Sequence, residues 1–220
     1  MVTAAREGLL DAARVALARR PWSAVRMVDV AAAAGVSRQT LYNEFGDKDG
    51  LARALVRREA DGYLAGVERA LAGPGGPGER LTATAEWTAA AARGNALVRA
   101  LLTGCWEEGL PAPARAPGFG RASAPWPAPA AAPGPGRSPS PSTAPDRSRA
   151  DGPLPSPGDL VGLVRDRAVA VLRAPGTSRA EVAALARSCE LAVRLALSCV
   201  AAPPAEGDVT ELVRPVLPPS

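Results

Sequence analysis

A chain of 220 residues, 47% of them hydrophobic, has enough apolar side chain for one large or two small domains. It contains no histidine, which removes the commonest general base and the commonest metal ligand together and argues against an enzyme, a metal site or a bound cofactor. The net charge of +4 does not locate a nucleic-acid surface, because residues 1–71 hold 11 basic and 9 acidic side chains while 111–157 hold 5 and 2.

From Thr3 to Arg20 the sequence is patterned as an amphipathic helix with Leu10, Ala13 and Leu17 on one stripe, ended by Pro21. This N-terminus alternates charge with Ala and Leu instead of carrying a signal-peptide core. No run in the chain is long and apolar enough to span a bilayer, so a cytoplasmic protein without a membrane partner is expected. Trp22, Val25 and Val28 supply anchors for a small three-helix core, with Trp22 as a core plug.

Residues 28–50, VDVAAAAGVSRQTLYNEFGDKDG, constrain function most. They predict a short helix with a small-residue face, a turn at Gly35, a second helix capped by Ser37, and the start of a third helix capped by Asp47. In the second helix Leu41 and Phe45 stand four apart and face the core. Gln39 and Asn43 occupy the opposite face, flanked by Thr40 and Tyr42, while Arg38 lies closer to the buried side by angle. Amide, hydroxyl and phenol groups with little apolar area suit base edges and phosphates. The helix start at Asp47-Lys48 adds a positive dipole end with a cation beside it.

The run DVAAAAGVSRQTLYNEFGDKDGLARAL resembles the DNA-binding domain of the TetR family of bacterial transcriptional regulators, a likeness that covers about residues 5–70. It is carried by the Ala-Gly-Val-Ser turn, the Leu-Tyr-x-x-Phe helix and the Gly-Asp-Lys-x-x-Leu entry to the next helix. One departure is Arg26-Met27 where the family often has a Ser or Thr cap, at a cost of about 1 kcal/mol. The resemblance implies DNA contacts from Gln39, Thr40, Tyr42 and Asn43 and a phosphate contact from Lys48, and the length and first-turn position of Arg38 let it reach the backbone or a guanine. It also implies an all-α fold made of an N-terminal three-helix helix-turn-helix domain (1–71, including a connecting helix) and a C-terminal helical effector and dimerisation domain (79–110 and 158–217).

Asp47 to Leu71 reads as the long connecting helix, and Gly73-Pro-Gly-Gly-Pro-Gly78 as a break. Residues 79–110 resume helix, softened at Gly94-Asn95. Trp87, Leu102 and Trp106 are candidate walls of an effector pocket, although ordinary core packing accounts for each aromatic singly.

Residues 111–157 contain 14 prolines and no apolar periodicity, so a disordered or polyproline-like segment is expected inside the C-terminal domain. A true insertion and an out-of-frame reading of a GC-rich gene both fit that composition. Helical patterning returns at about Gly158, breaks at Pro175-Gly176, and restarts at Ser178 with Glu181 completing a capping box. These two helices, about 158–174 and 178–201, are apolar over more than half their circumference and have little local partner surface, and the resemblance implies that they pair with a twin. Asp208 to Leu217 adds a short last helix. Cys105, Cys189 and Cys199 fit no metal spacing; on one helix Cys189 and Cys199 are about 15 Å apart, too far for a bond, so free thiols are expected.

The expected function is a homodimeric repressor that binds double-stranded DNA at a palindromic operator and is released by a small-molecule effector. The alternative is a constitutive DNA-binding or protein-interaction dimer without effector sensing.

Overall fold

The computed structural model describes residues 2–112, 154–202, 204 and 207–217; most of the Pro-rich stretch, and the disorder expected of it, lies outside the described residues. Among those residues the chain is all-helical. The helices are α1 (Val2–Arg19), α2 (Met27–Ala33), α3 (Arg38–Phe45), α4 (Lys48–Leu71), α5 (Pro77–Gly94), α6 (Ala96–Thr103), α7 (Pro157–Leu172), α8 (Arg179–Ala201) and α9 (Val209–Val213).

The first three helices close over a core of Leu9, Leu10, Ala13, Val30, Ala31, Leu41 and Phe45, completed by Leu51 and Leu55 from α4. Leu9, fully buried, was not on the expected stripe. A wider stripe is what a helix needs when it meets α2, α3 and α4 together. The turn from α2 to α3 runs through Gly35 at φ 67, a left-handed conformation that a β-carbon penalises. Arg26 occupies the N-cap of α2 without a side-chain hydrogen bond, as the missing Ser or Thr implies.

Two boundaries differ from expectation. Pro77 and Gly78 belong to the first turn of α5, not to the preceding break, because proline is tolerated at the first helical position where its missing N–H is not needed. The Glu79 carboxylate then accepts from Gly76 N–H at 2.9 Å. At the other end, helix stops at Thr103 instead of running to 110: Gly104 takes φ 74 and its N–H returns to the Ala100 carbonyl. Between α5 and α6, Asn95 Oδ1 accepts from the N–H groups of Leu97 and Val98, while its Nδ2 donates to Glu59 Oε2 at 2.7 Å. One side chain thus caps α6 and ties it to α4.

α4 carries packing from one end of the chain to the other. Its Tyr63 hydroxyl is buried and lies 3.1 Å from Thr88 Oγ1 on α5, and the Trp87 indole N–H donates to the Tyr63 carbonyl at 3.0 Å. Burial pushes the Tyr63 phenol up to about 12. The same cause pushes the Cys189 thiol on α8 up to about 12. All three cysteines are free.

The last two long helices, expected to have little local partner surface, are covered by distant segments of the chain. α8 packs along α5 and against α9, and α7 packs on α4 and α6, so each buries one face: Leu160, Val161, Val164 and Ala168 on α7; Cys189, Ala192, Val193, Ala196 and Cys199 on α8. Side chains from distant segments provide this cover, which local sequence does not display. Ser178 and Glu181 form the expected capping box, and Ser156 and Asp159 form a second one on α7. The carboxyls of Asp159 and Glu181 are held below the usual carboxylate range by the hydrogen bonds of these caps.

Candidate nucleic-acid interface

The α3 helix is held on three sides. Ser37 caps it, its Oγ accepting from Thr40 N–H at 3.0 Å and lying 2.9 Å from Thr40 Oγ1. Leu41 and Phe45 fix its inner face to the core, 0% and 8% exposed. Its C-terminus is met by Arg6 of α1, whose Nη1 donates to the Glu44 carbonyl at 3.4 Å and lies 3.6 Å from the Glu44 carboxylate. The same guanidinium stands 4.7 Å from the Phe45 ring centroid. A cation over the final carbonyls and an aromatic face is favourable on both counts.

What α3 leaves outward is Arg38, Gln39, Tyr42 and Asn43, all exposed, with Thr40 half-buried at the edge. Arg38 is therefore on the open side, although its angle suggested otherwise; it occupies the first turn, where the chain has just left Ser37. Gln39 Nε2 donates to Asn43 Oδ1 at 2.8 Å, so the two amides one turn apart form a linked pair with donors and acceptors to spare. Tyr42 is 48% exposed, which leaves its phenol free to contact a partner.

Lys48 opens α4 beside this ridge. Asp47 caps that helix, its Oδ1 accepting from Gly50 N–H at 2.7 Å. The Lys48 ammonium donates to the Ser23 carbonyl at 3.1 Å and lies 5.6 Å from the centroid of the Trp22 ring. Neither Trp22 nor Arg6 was picked out from sequence as supporting the ridge. Each reaches its partner across 25 or more residues, and no local pattern signals such a contact.

The three candidate pocket residues belong to one core, Leu102 within it and Trp87 and Trp106 packed against it. Trp87 is committed to helix packing: its indole lies over Gly66 of α4 so closely that a β-carbon there would overlap the ring. Clefts of 530, 400 and 470 Å³ lie instead around the α7–α8 turn and along the groove between those helices. Among the described residues no cluster of His, Cys, Asp or Glu could hold a metal ion, and no helix is long and apolar enough to cross a membrane.

A short helix, a glycine turn and a second helix with an apolar inner face and a polar outer ridge define a helix-turn-helix reading head. In comparison with known proteins, residues 9–55 match the family described as bacterial regulatory proteins, tetR family. The chain is 50% identical over 66 residues to the HTH-type transcriptional regulator AlkX of Mycobacterium tuberculosis (strain ATCC 25618 / H37Rv), covering 30% of this chain and 31% of that protein. It is 43% identical over 65 residues to the HTH-type transcriptional repressor LfrR of Mycolicibacterium smegmatis (strain ATCC 700084 / mc(2)155), covering 30% and 33%. The match thus spans about a third of the length of these relatives. Among solved structures, the TetR family repressor AlkX from Dietzia sp. strain DQ12-45-1b, implicated in biodegradation of n-alkanes, aligns with a TM-score of 0.47 at 21% identity over 96% of this chain and 92% of that one.

Proposed function

We propose that the protein is a DNA-binding transcriptional regulator of the repressor type, working in the cytoplasm as a homodimer on an approximately palindromic operator. The observation that carries this reading is the α3 ridge: Arg38, Gln39, Tyr42 and Asn43 are exposed on a helix whose other face is locked into a core. Gln39 and Asn43 match the amide chemistry that reads an adenine edge, Tyr42, Thr40 and Lys48 address phosphates, and Arg38 reaches the backbone or a guanine. Dimerisation through α7 and α8 is supported by Leu163, Val171 and Leu191, which remain 38%, 49% and 43% exposed on those helices. Two-fold symmetry then sets two α3 helices in successive major grooves.

Effector control is a population shift: a small molecule that binds better to dimers with wrongly spaced heads lowers DNA affinity by that difference. Trp87, Leu102 and Trp106 are taken up by core packing, whereas open clefts lie at the α7–α8 turn, so thermal melts of the protein against a metabolite panel test whether such a molecule binds.

A binding selection from a random duplex library tests the whole reading. Recovery of a palindrome with half-sites about one helical turn apart is the expected result. Recovery of unrelated sequences, or of none, overturns it.

A further inference from the structure

The chain has a single lysine, Lys48, half-buried and with partners for its ammonium within the chain. It donates to the Ser23 carbonyl at 3.1 Å and lies 5.6 Å from the Trp22 ring centroid. Trp22 and Ser23 sit in the short 3-10 turn Trp22–Ala24 between α1 and α2. That turn is gripped from elsewhere: the Trp22 N–H donates to the Gly109 carbonyl at 2.7 Å, in the segment that follows α6. A four-carbon stem ordinarily samples many rotamers, and ordering it on binding costs affinity. Here two acceptors in one rigid turn, a carbonyl and a ring face, have already ordered it, and an ammonium with three donors still has capacity for a phosphate oxygen.

We infer that Trp22 is a positioning residue for Lys48, holding the ammonium at the start of α4 for a DNA phosphate, and that the Gly109 segment fixes Trp22 in that place. The inference rests on the DNA-binding reading for the phosphate and on the geometry of the turn for the rest. It gives the region beyond α6 a route to the reading head that does not pass along α4. A shift of the Gly109 carbonyl moves the turn, and with it both groups that hold Lys48.

The test uses the full chain. Reductive ¹³C-methylation places a probe on Lys48, the one side-chain amine, whose methyl signal is resolved from that of the terminal amine. The expected result is an upfield ring-current shift in the wild type, lost in Trp22→Leu and retained in Trp22→Phe. Gly109→Ala, at a residue with φ 98 and with Pro21 Cβ 3.2 Å from the added β-carbon, shifts the same signal. In anisotropy titrations against a random-sequence duplex, Trp22→Leu weakens binding about 2- to 10-fold, and adds nothing to Lys48→Gln. Lys48→Gln itself flattens the salt dependence by about one unit of slope per contact. A wild-type protein that binds no duplex at low salt sinks the DNA reading. A methyl signal identical in wild type and Trp22→Leu, or equal losses from Trp22→Leu in both Lys48 backgrounds, sinks the positioning role by itself. A Gly109→Ala signal unchanged from wild type removes the Gly109 segment from it.

Discussion

Two glycines four residues apart on α4 are expected to respond in opposite directions to the same substitution. Gly62 is exposed, and a β-carbon there meets nothing within 4 Å. Gly62→Ala should therefore deliver the ordinary gain of replacing a mid-helix glycine, about 0.5–1 kcal/mol. Gly66 is buried under Trp87, and a β-carbon would occupy the space of the indole's Cε2, Cζ2 and Nε1 atoms. The ring is rigid, and its N–H is bound to the Tyr63 carbonyl at 3.0 Å, so it moves only by giving up that bond and its packing. Overpacking of this kind costs about 1–3 kcal/mol and the lost bond about 0.5–1.5. Against the propensity gain, Gly66→Ala should be destabilising by about 1–3 kcal/mol. Urea melts of the full chain read both variants; for a protein of this size each kcal/mol moves the thermal midpoint by about 2–4 °C. A Gly66→Ala protein as stable as Gly62→Ala would refute the close contact between α4 and α5.

Asn95→Ala removes a cap from two N–H groups and leaves Glu59 without its donor, so a loss of about 1–3 kcal/mol is expected in the same melts. Alkaline stability should follow the buried thiol and phenol: both groups bind their protons more tightly folded than unfolded. Their stabilisation is therefore complete below pH 9.0 and is lost as pH rises toward about 12. Cys189→Ala should move the onset of that loss up to about pH 10.0, where the unfolded Tyr63 begins to ionise, as read by circular dichroism against pH. On a selected operator, Gln39→Ala should relax sequence preference by about 1–3 kcal/mol of discrimination, whereas Tyr42→Ala should weaken binding to all sequences alike. Competition binding with base-substituted duplexes separates the two.

Features written within one helical turn were legible in the sequence. Leu41 and Phe45 face inward, Ser37, Asp47 and Ser178 cap the helices they precede, and Gln39, Tyr42 and Asn43 point outward as expected, with Arg38 joining them against its angle. These follow from spacings of three or four residues, where covalent connection fixes the geometry. The helix start at Pro77 and the helix end at Gly104 are not legible in this way: proline breaks a helix interior but begins a helix well, and glycine sits inside a helix or ends it in a left-handed turn. Contacts such as Arg6 with Glu44 and Phe45, or the Trp22 N–H with the Gly109 carbonyl, depend on how distant helices cross. The cover over α7 and α8 was hidden for the same reason, since α4, α5 and α6 provide it from far along the chain.

The contact between α5 and α8 has a consequence for how the protein tolerates change. Ala85 and Ala89 of α5, with Ala192, Ala196 and Cys199 of α8, form a buried seam that Val209 and Val213 of α9 complete, so small side chains line the contact of α5 with α8. Its alanines have little side chain to truncate and little rotamer freedom to lose, and shortening substitutions can barely harm them. Every lengthening substitution must instead push two helices apart along their whole shared length. At the alanine positions the vulnerability is therefore one-sided: deleterious variants there will be gains of volume, which a screen limited to alanine substitutions does not sample, while Val209 and Val213 of the same cluster stay open to truncation.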